Sequence, residues 1–384
     1  AADRKVSDQP GRPSVEEVAR SGDRPQRENL NPEPRTLNPQ DWPTFRANPA
    51  RTATTGVAVP ERVELLWQTP PQEGVEPTAP VAAGGLVFTA GSDGIVRARD
   101  AATGKIRWTA YTGGAVHYPP SIVGPRALVG SADGWVYAFD SVTGQLAWRF
   151  RAAPVERRIP IYGALISTWP VAGGVLVHDG VAYFAAGLND ADGTHVYALD
   201  AATGRLRWQN STAGHLDPES RRGITCQGEL LLHEGNLYLA GGNTVSPGVF
   251  DARSGRCLNP PPAGMGSHAP RGRELVLIGG QVRVTGQPLY SLPDAPVFDP
   301  SVQWTEPVVH AKNADLMFRP LVEKGASKPP SQWLLFALNP QTRQELWSRP
   351  LGAEPVRWGS AIDAQGRTLV SLRNGRILCF GKKP

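Results

Sequence analysis

Residues 195–210, HVYALDAATGRLRWQN, hold the pattern that decides the fold. The letters VYAL alternate between the two faces of a strand. Asp200 then opens a turn, because its carboxylate can accept hydrogen bonds from the backbone amides just ahead of it. Gly204 supplies the positive φ angle that the reversal needs. Trp208 returns on the next strand with a large apolar face suited to packing between sheets. The stretch therefore predicts a structural unit of strand, turn and strand.

The same unit occurs three more times along the chain. Each copy places an Asp or Asn eight residues before a Trp, and the first two copies lie 40 residues apart. This period is typical of β-propeller blades of four strands. The other copies are IVRARDAATGKIRWTA (Asp100, Gly104, Trp108), WVYAFDSVTGQLAWRF (Asp140, Gly144, Trp148) and LLFALNPQTRQELWSR (Asn339, Trp347).

The number of predicted blades follows from the outer strands. Asp-Gly and Asn-Gly hairpin signals precede the repeats, and outer strands end at Trp67, Trp304 and near Cys257 in addition to the four copies. This count predicts seven blades. Eight is the alternative, because residues 150–175 and 260–330 leave room for another sheet. Pairing of residues 63–68 with residues 377–380 would close the ring and remove its open edges.

The fold class predicted is thus an all-β propeller of four-stranded antiparallel blades over residues 61–384. Residues 1–40 are rich in Pro and charge and predict a linker or disordered tail. Residues 41–60 carry the apolar anchors Trp42 and Phe45 and predict a lead-in segment that packs along the propeller rim. The chain begins with Ala-Ala, from which we expect a fragment of a longer precursor.

Composition excludes several classes of function. Of the 384 residues, 40% are hydrophobic and 20% are charged, which is typical of a soluble globular protein. No apolar run approaches the length of about 18 residues that spans a bilayer. The net charge of +5 comes from basic and acidic residues that are mixed along the chain. This pattern argues against nucleic acid as a partner.

The signature A-x-D-x-x-T-G-x-x-x-W, as in ALDAATGRLRW, resembles the pyrroloquinoline-quinone-type propeller repeat, and DWPTFRANPARTATT resembles the segment that opens many such propellers. The resemblance covers about residues 42–384. Quinoprotein dehydrogenases share this repeat with non-catalytic propellers, among them lipoproteins of the bacterial outer-membrane barrel-assembly machinery. It implies a periplasmic or extracellular location in a bacterium.

The resemblance also implies where a cofactor would sit. Quinoprotein dehydrogenases hold the quinone on the propeller axis, with calcium bound by carboxylate and amide oxygens and an Asp as base. No Asp or Glu here matches those motifs, and Asp100, Asp140 and Asp200 recur once per blade at turns. We therefore expect no catalytic residue, no metal and no cofactor. Pyrroloquinoline quinone with Ca²⁺ belongs to the alternative, an oxidoreductase with a divergent axial site.

Candidate ligand-binding residues lie where the chain departs from the repeat, because function concentrates on loops held by a rigid scaffold. An axis lined by Arg, His, Tyr and Trp suits a small anionic or sugar-like ligand. The other interpretation is that these side chains fill the channel or cap the blades. The candidates are His117, Tyr118, Arg158, Tyr162, Trp169, Arg222, Gln227, His268, Arg271, Arg357 and Trp358.

Two questions stay open at this point. Cys226 and Cys257 fall in one predicted blade, either as a disulfide or as buried free thiols. The favoured function is a non-catalytic scaffold, a monomeric domain that stands alone or in a larger chain and binds a protein or ligand through loops on one face. The alternatives are the quinone-dependent oxidoreductase and a carbohydrate-active enzyme.

Overall fold

The computed structural model describes residues 15–17, 37–161, 163–242, 244–262, 269, 271–286, 307–321 and 332–383. This part of the chain is all-β apart from two short 3₁₀ helices, Asp190–Asp192 and Ala213–His215. It holds no helix that is long and apolar enough to cross a membrane. The first two strands are β1 (Val15–Glu17) and β2 (Glu64–Gln68).

Three sheets and a hairpin follow in the first half of the chain, all antiparallel. Sheet 1 has β3 (Val81–Ala83), β4 (Leu86–Thr89), β5 (Ile95–Asp100) and β6 (Ile106–Tyr111). Sheet 2 has β7 (Ser121–Val123), β8 (Arg126–Gly130), β9 (Trp135–Asp140) and β10 (Leu146–Arg151), with β1 beyond β10. The hairpin has β11 (Arg158–Ile161) and β12 (Ala164–Ser167). Sheet 3 has β13 (Leu176–His178), β14 (Val181–Ala186), β15 (His195–Asp200) and β16 (Leu206–Asn210).

Four more sheets complete the described part of the chain. Sheet 4 has β17 (Leu230–His233), β18 (Asn236–Leu239) and β19 (Gly248–Asp251). Sheet 5 has β20 (Glu274–Ile278) and β21 (Gln281–Thr285). Sheet 6 has β22 (Val309–His310), β23 (Asp315–Leu321), β24 (Gln332–Leu338) and β25 (Glu345–Pro350). Sheet 7 has β26 (Pro355–Ile362), β27 (Thr368–Leu372) and β28 (Ile377–Gly381), with β2 beyond β28.

The architecture is that of propeller blades, since the complete sheets are four-stranded and antiparallel. In sheet 7 the strand near the start of the chain pairs with the strand at its end, Trp67 opposite Cys379. Sheet 4 has an isolated bridge between Phe250 and Cys257 where a fourth strand would lie. The predicted outer strand at Trp304 lies outside the described residues.

The repeated turn follows from its Asp and Gly. The carboxylate of Asp200 accepts hydrogen bonds from the backbone N–H of Thr203, at 3.0 Å, and from its hydroxyl, at 2.8 Å. Gly204 has φ +72°, a region that a Cβ disfavours. Asp100, Asp140 and Asp251 form the same turn, and Asn339 forms it with Arg343 at positive φ instead of glycine.

Four outer-strand tryptophans lie over the turn of the following sheet, whereas the indole N–H of Trp347 donates to the carbonyl of Pro60 at 3.0 Å. The indole N–H of Trp148 donates to the carbonyl of Ala202 at 3.2 Å, and a Cβ on Gly204 would come within 2.8 Å of that indole. Trp67, Trp108 and Trp208 meet the turns at Gly104, Gly144 and Gly255 in the same way. The glycine is therefore required twice, for its backbone angle and for the close approach of the indole ring.

Candidate functional site

The first part of the lead-in segment, residues 41–56, runs along the first strands of the sheets. Trp42 and Ala82 of β3 exchange two backbone hydrogen bonds of 2.8 and 2.9 Å. The carbonyls of Pro43 and Pro49 accept hydrogen bonds from the backbone N–H groups of Ile122 in β7, at 2.8 Å, and Leu232 in β17, at 2.9 Å. Further along, the carbonyl of Ala53 accepts from the N–H of His310 in β22 at 2.8 Å. First strands of neighbouring sheets approach each other, β7 beside β13 and β26 beside β3, and we call the inner edge that they share the axis.

The sequence predicts that residues 41–60 pack along the propeller rim, and the structure shows this segment in contact with the first strands of the sheets. The physical reason is that the innermost strands carry backbone groups with no further strand to pair with, and buried groups of this kind need partners. The lead-in segment supplies those partners and buries Trp42 almost completely.

A buried ion pair links the segment to sheets 4 and 5. The guanidinium of Arg46 donates to Glu229 Oε1 at 3.1 Å and to the carbonyl of Leu275 at 2.9 Å, and the two side chains are only 7% and 0% exposed. The N–H of Leu275 donates to the same carboxylate oxygen. Burial raises the pKa of Glu229, and the charges of Arg46 and Arg51 oppose that effect.

A second acid and base lie beside the first pair. Arg357 forms an ion pair with Glu274, and the indole N–H of Trp358 donates to Glu274 Oε2 at 3.1 Å. The Arg46 guanidinium lies 4.0 Å from the centroid of the Trp358 ring, which is a cation–π contact. The Trp358 ring thus connects the two ion pairs.

Aromatic rings and a further arginine complete the group. Phe45 meets Tyr118 edge to face, with ring centroids 5.2 Å apart, and the Tyr118 hydroxyl donates to the carbonyl of Arg273 at 2.9 Å. Arg51 donates to the carbonyls of Phe45 and Leu230, and desolvation lowers its pKa to about 10. We call this group the axial cluster: Phe45, Arg46, Arg51, Tyr118, Glu229, Glu274, Arg357 and Trp358.

Residues with a strained backbone are concentrated in the lead-in segment and the axial cluster. Arg46, Ala47, Arg51 and Ala53 have φ between 53° and 70°, and Trp358 has φ 56°. A non-glycine residue in this region costs about 1–2 kcal/mol. Such strain persists only where surrounding contacts fix the conformation, and here the buried ion pairs provide those contacts.

Three candidate residues from the sequence come together at the axis: Tyr118, Arg357 and Trp358. His117 lies next to them, and desolvation together with the Arg273 charge lowers its pKa to about 4. The remaining described candidates are dispersed. The Gln227 amide donates to the carbonyl of Leu188 at 3.0 Å, and Trp169 donates to that of Asp192 at 2.9 Å, with Arg157 over its ring.

Of the other candidates, the structure describes three, and these are exposed or half-buried. Arg158 is exposed on β11 beside Glu156, Arg271 is exposed, and Arg222 pairs through its backbone with Asp217. Tyr162 and His268 lie outside the described residues. The predicted alternative of a Cys226–Cys257 disulfide is wrong, because both are free thiols. Cys226 is buried next to the Gly228 carbonyl before β17, whereas Cys257 lies at the opposite edge of sheet 4, beside Asn259.

Sequence reasoning missed five members of the axial cluster as site residues, namely Phe45, which it named only as an apolar anchor, and Arg46, Arg51, Glu229 and Glu274. A signal for the two acids is present in the sequence. Each Glu stands directly before an apolar run, in GELLL and in RELVL, where the first residue of an inner strand is normally apolar. A charged residue at such a position indicates a buried partner.

The axial residues do not fit a calcium-bound quinone. Calcium takes six to eight oxygen ligands, and the two axial carboxylates already have arginine partners. Among the described residues, no group of three or more His, Cys, Asp or Glu is placed to hold a metal ion. Phe45 and Arg46 also occupy the axis, where quinoproteins of the resembled family carry the quinone.

Comparison with known proteins gives a family and a fold. A family model described as outer membrane protein assembly factor BamB matches residues 57–285, more than half of the chain. No curated protein matches. A europium-containing methanol dehydrogenase is 13% identical, with 90% of this chain and 98% of that one covered and a TM-score of 0.54.

Two further solved structures resemble the chain. The quinohemoprotein alcohol dehydrogenase of Comamonas testosteroni is 15% identical, with 90% and 81% of the chains covered and a TM-score of 0.53. BamB from Moraxella catarrhalis is 15% identical, with 78% and 82% covered and a TM-score of 0.41. At these identities the likeness to the two dehydrogenases concerns the β-propeller fold alone.

Proposed function

The chain belongs to the outer membrane protein assembly factor BamB family, and from that premise we propose that it is a non-catalytic scaffold that binds a protein partner through loops on one face of a closed ring. The family membership confirms the resemblance predicted from the repeat. The observation that carries the proposal is the axial cluster, because the chain's own lead-in segment fills the place where a dehydrogenase of this fold would carry its cofactor.

The ring in this proposal has seven blades. The described residues form eight sheets, and this count treats the two-stranded β20–β21 as a blade and the two-stranded β11–β12 as a hairpin inserted between sheets 2 and 3. The pairing of β2 with β28 supports closure of the ring by the two ends of the propeller. A closed ring leaves no open blade and provides a rigid support for binding loops.

The partner-binding face in this proposal is formed by the loops that lead from a fourth strand to the next first strand. These loops leave equivalent strands at the same end and therefore share a face. Three apolar side chains are exposed there, Tyr111 by 69%, Val155 by 49% and Leu165 by 62%. The proposal assigns these three side chains to one patch, because contiguous apolar patches on a surface mark interaction sites. A periplasmic or extracellular location in a bacterium is part of the same proposal.

The first experiment separates a scaffold from a dehydrogenase. The purified protein is mixed with pyrroloquinoline quinone and Ca²⁺, and quinone absorbance and dye reduction with methanol or other alcohols are recorded. We expect neither a spectral shift nor alcohol-dependent reduction. Either signal would overturn the non-catalytic proposal.

The second experiment tests the binding face. In a host strain deleted for the gene, we expect Leu165→Glu to restore the level of folded outer membrane proteins less well than the wild type does. The matched control is Leu206→Glu, which changes an exposed leucine on the outer strand β16 and should complement fully. Equal complementation by both variants would remove the β11–β12 hairpin from the binding face.

A further inference from the structure

The axis carries more positive than negative charge in the described part of the chain. Four arginine side chains and two glutamate side chains lie there. The arginines are Arg46, Arg51, Arg273 and Arg357, and the acids are Glu229 and Glu274. Arg46 and Arg357 each form an ion pair with one of the acids. Arg51 and Arg273 form no ion pair with any described acid, so two positive charges remain unbalanced.

Arg273 is held at the axis by its backbone. Its carbonyl accepts hydrogen bonds from the Tyr118 hydroxyl and from the Glu229 N–H, each at 2.9 Å. A Cβ on Gly228 would come within 2.3 Å of the Arg273 Cα, so the two backbones are in close contact. Desolvation and the charge of Arg273 lower the pKa of His117 to about 4. His117 is therefore neutral at neutral pH and adds no further charge.

The arginines nearest the partner-binding face are the more exposed ones. The loops of that face end where first strands begin, and Arg273 directly precedes the first strand β20, while Arg357 is the third residue of the first strand β26. Arg273 is half-buried, and the Arg357 side chain is 29% exposed. The Arg46 side chain, which comes from the lead-in segment, is only 7% exposed. A solute from the partner-binding face would thus meet Arg273 and Arg357 first.

The strand that carries Arg357 is bulged at this position. Residues 356–359 of β26 stand opposite a single residue of β27. Bulges of this kind turn side chains in a new direction and are frequent next to functional sites. The bulged Trp358 ring lies 4.0 Å from the Arg46 guanidinium, and the buried Arg46 Nε has no hydrogen-bond partner among the described residues. The bulge therefore links Arg357 to the buried arginine behind it.

A buried or half-buried charge is costly unless a counter-charge accompanies it. Arginine is suited to bind carboxylates and phosphates, because its planar guanidinium can donate two parallel hydrogen bonds to two oxygens of one group. Phe45 and Arg46 already occupy the axis, so a counter-ion that joins them has to be small. The unbalanced charge and the position of its two outer arginines point to the same kind of ligand.

We propose that Arg273 and Arg357 bind a compact oxyanion of the carboxylate or phosphate type where the axis opens on the partner-binding face. The oxyanion has two sources with this chemistry, a free ion or the C-terminal carboxylate of a partner protein. Only the second source rests on the proposed scaffold function. The site itself goes beyond that function, because it recognises a charged group and not an apolar surface.

The first arm of the experiment uses the full chain and inorganic phosphate, titrated by calorimetry at constant ionic strength with chloride as the background anion. We expect saturable binding. Arg273→Gln removes a charge-assisted donor and should weaken phosphate binding at least about tenfold. The matched control is Arg271→Gln, which removes an exposed arginine from the same segment and should bind phosphate as the wild type does.

Folding is controlled by urea unfolding of the same proteins. Phosphate should raise the unfolding midpoint of the wild type and of Arg271→Gln, and should leave that of Arg273→Gln unchanged. Arg273→Lys keeps the charge without the planar fork, so its affinity for phosphate should lie between those of the wild type and Arg273→Gln.

The second arm distinguishes the two sources of the oxyanion. Trialanine with a free C-terminal carboxylate, or the same peptide as its amide, is added to the chain together with phosphate. Displacement of phosphate by the acid alone would support the terminus of a partner, and phosphate binding without displacement would support a free ion. No partner protein is present, so the result does not depend on the outcome of the Leu165→Glu test. No saturable binding of phosphate or trialanine, unchanged binding by Arg273→Gln, or an equal loss in Arg271→Gln would each overturn the proposal.

Discussion

Two carboxylate–arginine pairs show how differently the periphery and the axis of this protein are built. Asp200 and Arg207, in the repeated turn of sheet 3, are 2.9 Å apart and remain partly exposed. Glu229 and Arg46, at the axis, are 3.1 Å apart and buried. Hydrogen bonds from Arg207 and Thr203 lower the pKa of Asp200, whereas burial raises that of Glu229. The same chemistry therefore shapes a turn in one place and joins separate sheets in the other.

The difference explains why one region repeats and the other does not. A turn carboxylate accepts hydrogen bonds from the residues that follow it in the chain, so each blade can carry its own copy of the turn. An axial carboxylate has to meet charges from distant parts of the chain, and a ring has only one axis. A closed ring should depend on both regions, and the following changes separate their contributions.

The largest effect is expected from opening the ring. Replacing residues 61–70 by a Gly/Ser linker of equal length removes β2 from β28 and leaves Trp67 unable to cover Gly104. We expect a lower free energy of unfolding than in any single substitution below, and a less cooperative transition in urea. The matched control replaces the ten residues of the β11–β12 hairpin, 158–167, by the same linker. If both replacements lower stability equally, closure through β2 is not what holds the ring together.

The next largest effect is expected at the axis. Glu229→Ala leaves Arg46 and Arg51 buried without their acidic partner, which costs about 3–5 kcal/mol. Glu229→Gln, which keeps an acceptor for the Leu275 amide, should lose less. The double variant Glu229→Ala/Arg46→Met should be more stable than the sum of the two single losses predicts, because it removes both charges. Additive losses in urea unfolding would show that the pair does not act as a unit.

A smaller effect is expected from two glycines of sheet 3, Gly204 in the repeated turn and Gly180 in the β13–β14 hairpin, which separate backbone strain from packing. Gly180 has φ +71° with no atom within 4 Å of an added Cβ, and Gly204 has φ +72° with the Trp148 ring at 2.8 Å. Gly180→Ala should therefore cost about 1 kcal/mol for the backbone alone. Gly204→Ala should cost about 1–3 kcal/mol more, because it overpacks the indole. Equal unfolding midpoints would contradict the close approach of Trp148.

These contrasts also explain what the sequence could and could not predict. The turn at Asp200 and Gly204 is held by contacts between residues close in sequence, so its residues and their spacing can be recognised in every copy. The pairing of Val63–Gln68 with the last strand was also accessible, since each end of the chain lacks the strands that the other supplies. The path of the lead-in segment could not be predicted, because Trp42 and Phe45 indicate that they are buried but not which strands they pack against.

The axial cluster was harder still to predict. Arg46 lies 183 positions from Glu229, and no local pattern joins them. Tyr118, Arg357 and Trp358 were found because they interrupt the repeat. Arg158 and Arg271 interrupt it too, yet they lie on the surface, since departure from a repeat marks a loop without showing which side chains turn toward the axis.

A further effect is expected from pH, because the axis and the repeated turn lose stability in different pH ranges. Burial and Arg273 lower the pKa of His117 from 6.5 to about 4, so the unfolded chain takes up the proton first. Stability is complete above about pH 6.5 and is lost as the pH falls toward 4. The pKa of Asp200 is lowered from 3.8, so its contribution is present above that value and is lost only in stronger acid.

Urea unfolding of two variants, measured across this pH range, tests which residue causes the loss of stability in each window. His117→Asn should flatten the decline between pH 6.5 and 4, although only in part, because burial and the His215 charge lower the pKa of His195 to about 4 as well. Asp200→Asn should leave that window unchanged and flatten the decline below about pH 3.8. If His117→Asn left the upper window as steep as in the wild type, His117 would titrate normally, and the loop beside Tyr118 would be open to water.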